Sequence, residues 1–231
     1  MSVDVLRNYL TALEAERRFG GRAYPEGLER FPRVLPGQGF FPGGDGLWRD
    51  PDHKALRRSS SYAFPVDGIM FLGNDFGTLA SFRRLRLHEN PPTWRNLRKR
   101  LDIAGLPGSL GLYTNAYLGL RSDRSALAHP IDHPGYRALC TEYLKHQIRT
   151  QMPRLIVVLG PRPAGLLGPL IGLSDLQIGQ AQPGRFEEKS LWVLPVSHPY
   201  SDLRKSPVQL AEEGARLAAA WSKAQHCASA A

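Results

Sequence analysis

Four short apolar runs stand out after Pro65: Gly68–Leu72, Leu110–Tyr113, Leu155–Leu159 and Leu191–Val196. Each is too short for a helix and apolar on both alternating faces, so each reads as a strand buried on both sides. Between them, apolar residues recur with a helical period near 78–88, 93–104 and 135–151, with a shorter pattern near 163–170. At the amino end, Ser2 is placed to cap a helix running to about Arg18, with Val5, Leu6, Tyr9, Leu10 and Leu13 as its apolar face. The last helix opens on "SPVQ", with Ser206 as cap, Pro207 at the first position and Gln209 closing a capping box, and is expected to reach about Lys223. Strands alternating with helices predict an α/β domain: three layers, with helices on both faces of a central, mostly parallel four-stranded sheet.

Residues 20–64 break this rhythm. They are rich in Gly, Pro and Arg and centre on "FPRVLPGQGFFPGGDG". Four of the nine phenylalanines fall here, which implies that part of the segment packs. The expected organisation is therefore an amino-terminal helix and irregular segment, 1–64, packed on an α/β domain of 65–231.

In a parallel sheet, ligands bind beyond the carboxyl ends of the strands. Three of the four runs end in polar groups. The first leads into "GNDFG", with Asn74 and Asp75; the second into "YTNAYLGLR", with Asn115; the fourth into "VSHPYSDLR", with His198. The third ends in "VVLGPRPAG", which supplies only glycine, proline and Arg162. Taken singly, Asp75 reads as a helix cap, Asn115 as a loop residue and His198 as a packed core histidine. Their conjunction at successive strand ends points instead to one polar rim.

Charge adds a partner. Thirty Lys and Arg oppose 21 Asp and Glu, a net +9 over 231 residues, and such a surface attracts polyanions. Seven of these cations fall within "SFRRLRLHENPPTWRNLRKR". On the predicted 93–104 helix, Arg95, Arg98 and Lys99 share one side and Trp94, Leu97 and Leu101 another, so the basic side is free to meet phosphates.

The sequence also excludes several classes. "GPRPAGLLG" lacks the Gly-Lys-Ser/Thr ending of a triphosphate loop, and no Gly-x-Gly-x-x-Gly follows a strand, so no nucleotide cofactor is expected. Cys140 and Cys227 have no metal spacing and read as free thiols in a reducing compartment, with neither zinc nor an iron–sulfur cluster. The first residues lack an apolar signal core, and no apolar run is long enough to span a bilayer. A cytoplasmic monomer with no membrane or obligate protein partner is the resulting expectation.

The ordered set "GNDFGT", "PPTWRNL", "YTNAYLGLR", "PRLIVVLG" and "VLPVSHPYSDLR" resembles the uracil-DNA glycosylase superfamily over roughly residues 65–223. The resemblance implies a DNA glycosylase that extrudes a uracil or related damaged base and cleaves its N-glycosidic bond in base-excision repair. It also implies roles. Asp75 falls on the acidic position that holds the hydrolytic water, with Asn74, Phe76 and Gly77 in the same motif. Asn115 falls on the amide that reads the base edge. His198 falls on the histidine that steadies the leaving base. Trp94 or Phe76 would stack on the base, and Leu203 would wedge into the vacated helix. Tyr200, Ser201, Arg204 and Lys205 would join Arg95, Arg98 and Lys99 on DNA. Two departures stand out: Phe76-Gly77 replaces the Pro-Tyr of many relatives, and Tyr200-Ser201 replaces Ser-Pro. The cysteines of the cluster-bearing relatives are absent.

Two other readings compete. A silent nucleic-acid-binding protein could keep the fold without turnover. A flavodoxin-like esterase would need a nucleophilic serine after the first strand and an aspartate three residues before the histidine, where this chain has Asp75 and Pro195.

Overall fold

The apolar runs become the parallel strands of one sheet, three of them inside it and the Leu110–Tyr113 run at one edge. The computed structural model describes residues 4–29, 65–80, 92–122 and 132–228. Its strands are β1 (Leu28–Glu29), β2 (Ile69–Gly73), β3 (Gly111–Asn115), β4 (Leu120–Arg121), β5 (Leu155–Leu159), β6 (Gln182–Phe186) and β7 (Lys189–Val196). Its α-helices are α1 (Asp4–Glu16), α2 (Pro92–Ala104), α3 (Pro134–Gln151), α4 (Pro161–Leu167) and α5 (Pro207–Ala228). The helix expected near 78–88 falls mostly outside the described residues.

The main sheet has the order β3-β2-β5-β7-β6, with the first four strands parallel and β6 antiparallel to β7. β2, β3 and β5 are buried along their whole length, as strands covered on both faces must be. Alternate residues sort into two cores. Met70, Leu72, Leu112, Ile156, Val158 and Val193 pack with α1, α3 and α4. Ile69, Phe71, Tyr113, Val157, Leu194 and Val196 pack with α2 and α5. The period-2 geometry of a strand thus builds three layers.

The expected four-stranded sheet has five strands. Residues 182–186 read "QPGRF", with Pro and Gly inside and no apolar alternation, and so gave no strand signal. The edge position explains why they pair nonetheless: Pro183 needs no ladder partner on the outer side, and the Arg185 N–H donates to Ile171 O at 3.0 Å. The hairpin turns through Glu187 at φ +53°, without the Gly or Asn that usually marks such a turn.

Helix boundaries follow local chemistry. The Ser206 N–H donates to Gln209 Oε1 at 2.9 Å and the Gln209 N–H to Ser206 Oγ at 3.3 Å, the expected capping box. α5 runs past Lys223 to Ala228, because Leu217, Trp221 and Ala224 continue its buried stripe. α3 opens on Pro134 behind His133, whose side chain accepts from the Tyr136 N–H. It closes where Met152 turns left-handed, at φ +51°.

The amino-terminal helix joins this body. Leu6, Leu10 and Leu13 enter the core beside α3, and the Tyr9 ring stacks on His146 at 3.7 Å. β1 pairs with β4, bringing Leu28 opposite Arg121 just beyond the exit of β3. Residues 30–64 lie outside the described set. No helix among the described residues is long and apolar enough to cross a membrane.

Candidate active site at the carboxyl rim of the sheet

β2 has β3 on one side and β5 on the other, so the strand order reverses at β2. The crevice beyond the carboxyl ends at such a reversal is where open α/β sheets bind ligands. Asn74 and Asp75 leave β2 at this point. The segment after β3 stays in register with them: the Ala116 N–H donates to Gly73 O at 2.8 Å and the Tyr117 N–H to Asn74 O at 2.9 Å. Asn115, paired with Gly73, is thereby held at the same level.

Asp75 is tightly held. Its Oδ1 accepts the Gly77 N–H at 2.8 Å, and its Oδ2 accepts Asn74 Nδ2 at 3.1 Å. Arg121 Nε lies 3.3 Å from Oδ2, at ion-pair distance but without hydrogen-bond alignment. The carboxylate therefore has a turn-forming role on one oxygen and a charge balanced by Arg121 on the other.

Asn115 is 3% exposed, and its Nδ2 has no hydrogen-bond partner. Leaving a buried amide donor unpaired costs about 1–3 kcal/mol unless a ligand supplies the acceptor. Asn74 Oδ1 is likewise buried and unpartnered.

His198 follows β7 and caps a 3₁₀ turn, Pro199–Arg204. Its Nδ1 accepts the Tyr200 N–H at 3.2 Å, so in the neutral ring the proton sits on Nε2. Burial, and secondarily the Arg100 charge, lower its pKa below the ordinary 6.5, which favours that neutral form, while Asp202 and Asp75 oppose the shift. A Cβ placed on Gly160, at the end of β5, would lie 3.6 Å from His198 Cβ. The His198 Cβ thus lies beside the exit of β5, the strand next to β2.

The turn carrying His198 is anchored by Asn96, Arg100 and Asp202, to which the sequence reading gave no role. Asn96 Nδ2 donates to Pro199 O at 2.8 Å. Arg100, 2% exposed, donates through Nε to Asp202 Oδ2 at 2.8 Å and through Nη1 to Ser197 O at 2.9 Å. Its Nη2 bonds Asp202 Oδ1 and lies 3.0 Å from Glu213 Oε2. Asn96 and Arg100 stand four apart on the inner side of α2. That spacing, together with an acid four residues after His198, is the signal that could have found them.

Several expected contacts fall elsewhere. Lys205 does not offer its charge to phosphate: its ammonium is taken up by Ser197 Oγ, Glu213 and Asp202. Trp94 and Phe76 are core residues, 5% and 1% exposed, and Trp94 meets Tyr113 edge-on at 4.8 Å. Neither ring has a face open for stacking on a base. Arg95, Arg98 and Lys99 lie on the exposed side of α2, opposite Leu97 and Leu101. Tyr200, Ser201 and Arg204 are exposed on the histidine turn. The side chains of Leu203 and Cys227 lie outside the described residues, while Cys140 is a buried thiol pushed up to about 12 by desolvation. A groove of about 1120 Å³, lined by Met152, Arg154, Lys189 and Trp192, lies at the opposite, amino ends of the strands and contains none of the candidate residues.

Gly77 stands at φ +78°, a region costly for any side chain with a Cβ. Gly77→Tyr is therefore expected to lower stability by about 1 kcal/mol or more, read as a fall in Tm. The tyrosine that many members of the resembled superfamily carry is not simply missing here, because this backbone disfavours it.

Fold and rim together define an open, mostly parallel α/β protein whose switch-point crevice is bordered by a carboxylate, a neutral imidazole and a buried amide. No known family model matches the sequence, and no curated protein matches it.

Proposed function

We propose that this protein is a DNA glycosylase of the uracil-DNA glycosylase type. It extrudes a uracil or related modified base and hydrolyses its N-glycosidic bond. The observation that carries this reading is the grouping of Asp75, His198 and the unpartnered Asn115 amide at one switch point of the sheet.

The chemistry uses each group differently. Breaking the bond between base and deoxyribose develops positive charge on the sugar and negative charge on the base. Asp75 stabilises the first and orients water, as carboxylates do in glycoside hydrolysis. The Nε2–H of His198 stabilises the second, as an oxyanion donor does. Asn115 Nδ2 meets a carbonyl on the base edge, which relieves its buried donor. A stacked base cannot reach the rim, so the nucleotide is flipped out at a cost of a few kcal/mol, offset by phosphate contacts. With Trp94 and Phe76 in the core, exposed Tyr200 is the aromatic nearest His198 in sequence that is free to touch DNA.

The direct test is release of uracil from a labelled single-stranded oligonucleotide. Release above background supports the reading, and binding without release means a silent DNA-binding protein. A second expectation follows from the basic side of α2. DNA affinity should fall steeply with salt. Neutralising Arg95, Arg98 and Lys99 together should flatten the slope of log K against log salt by about 0.7–0.9 for each phosphate that the variant no longer neutralises. An unchanged slope would mean this side is only solvated.

A further inference from the structure

The cations of α2 fall into two groups. Arg95, Arg98 and Lys99 face outward, whereas Arg100 is as buried as the aliphatic core. Burying a guanidinium beside a carboxylate is a weak source of stability by itself, since apolar residues of equal volume often do as well. The partners of Arg100 suggest another reason. Ser197 O lies just before His198 in the chain, Pro199 O just after it, and Asp202 four residues on. α2 grips the first and third through Arg100 and the second through Asn96. Between these anchors the imidazole is held through Nδ1 by the Tyr200 N–H, and the Ser201 N–H donates to His198 O at 2.9 Å.

We propose that Arg100, assisted by Asn96, is a positioning residue: it clamps the turn on both sides of His198 so that the ring presents its Nε2–H at the carboxyl rim. This rests on the glycosylase reading for what the ring then does, but the clamp is a property of the free protein. A planar five-donor fork suits the task because it spans Asp202 and Ser197 O together, which a lysine ammonium cannot do in one geometry. The Arg100 charge has a second effect, since it helps lower the His198 pKa and keep the ring neutral.

Two variants test the clamp. Arg100→Lys keeps the charge and loses the fork. Arg100→Met/Asp202→Leu removes the pair together, which avoids stranding a buried carboxylate. Long-range ¹⁵N–¹H spectra of the histidine rings, recorded without DNA, report the tautomer and titration of His198. Wild type should show the Nε2–H form alone. Both variants should show a mixture of tautomers. In the double variant the titration midpoint should also rise, because the Arg100 charge that lowers it outweighs the Asp202 charge that raises it. Single-turnover release of uracil should fall about 10²-fold at unchanged DNA affinity, the typical cost of a small misplacement. If both folded variants keep the wild-type tautomer and midpoint, Arg100 is only structural and the proposal is overturned, whatever happens to Tm. If the spectra change as expected but wild type releases no base, the clamp stands and the glycosylase reading fails.

Discussion

Asp75→Asn is expected to cut single-turnover base release by about 10²–10³-fold while leaving the fold and DNA affinity nearly unchanged. The asparagine Oδ1 can still accept the Gly77 N–H, so the turn after β2 survives. What disappears is the negative charge. Its ion pair with Arg121 is partly exposed, the two side chains being 29% and 14% accessible, so its loss should cost no more than about 1 kcal/mol. A developing sugar cation, by contrast, loses the charge that stabilises it. If Asp75 served only to close the turn, rate and Tm would both stay at wild-type values. His198→Ala should give a rate loss of similar size, and the two losses need not multiply, since both residues act on one charge separation. The pH dependence has a definite sign. The folded pKa of His198 lies below its ordinary value of 6.5, so the neutral ring and the stability it contributes are fully present above 6.5. Both are lost as pH falls through the folded value, because protonated Nδ1 can no longer accept the Tyr200 N–H. Base release should therefore be flat near neutrality and drop on the acid side.

The largest effect on stability belongs to Arg100. Arg100→Ala leaves the Asp202 carboxylate, at 4% exposure, with only the Lys205 ammonium 3.0 Å away to balance it, a change that should approach about 3–5 kcal/mol, the cost of an uncompensated buried charge. For a chain of this size that corresponds to a Tm lower by roughly 10 °C. Arg98→Ala, two residues away on the exposed side, should stay within about 0.5 kcal/mol. Thermal unfolding of the two variants side by side checks the contrast. Equal melting would mean that Arg100 is not the buried anchor its contacts imply.

Much of this protein is determined by sequence alone. A strand covered on both faces is apolar along most of its length, and so the runs Gly68–Leu72, Leu110–Tyr113 and Leu155–Leu159 announce themselves without any tertiary context, although the second strand continues through Thr114 and Asn115. The capping box at Ser206 is equally local, because its two hydrogen bonds join residues three apart. The positions of Asp75 and His198 just past strands, and of Asn115 at the last residue of one, follow from the same runs.

Three things were decided only by the tertiary structure. β6 pairs because an edge tolerates Pro183 and Gly184, and edge status depends on which strand lies beside it. Trp94 and Phe76 look like stacking residues in a motif but are drawn into the core, since large aromatic area gains more from burial than from exposure. The sorting of cations is the clearest case. Lys205 and Arg204, or Arg98 and Arg100, are interchangeable in a tally of charge. Only the packing of α2 against α5 and the histidine turn buries Arg100 beside Asp202 and draws Lys205 toward Glu213, while Arg98 and Arg204 stay in water. A buried charge needs a partner within hydrogen-bond reach, and here that partner stands about a hundred residues away in the chain, beyond any local pattern.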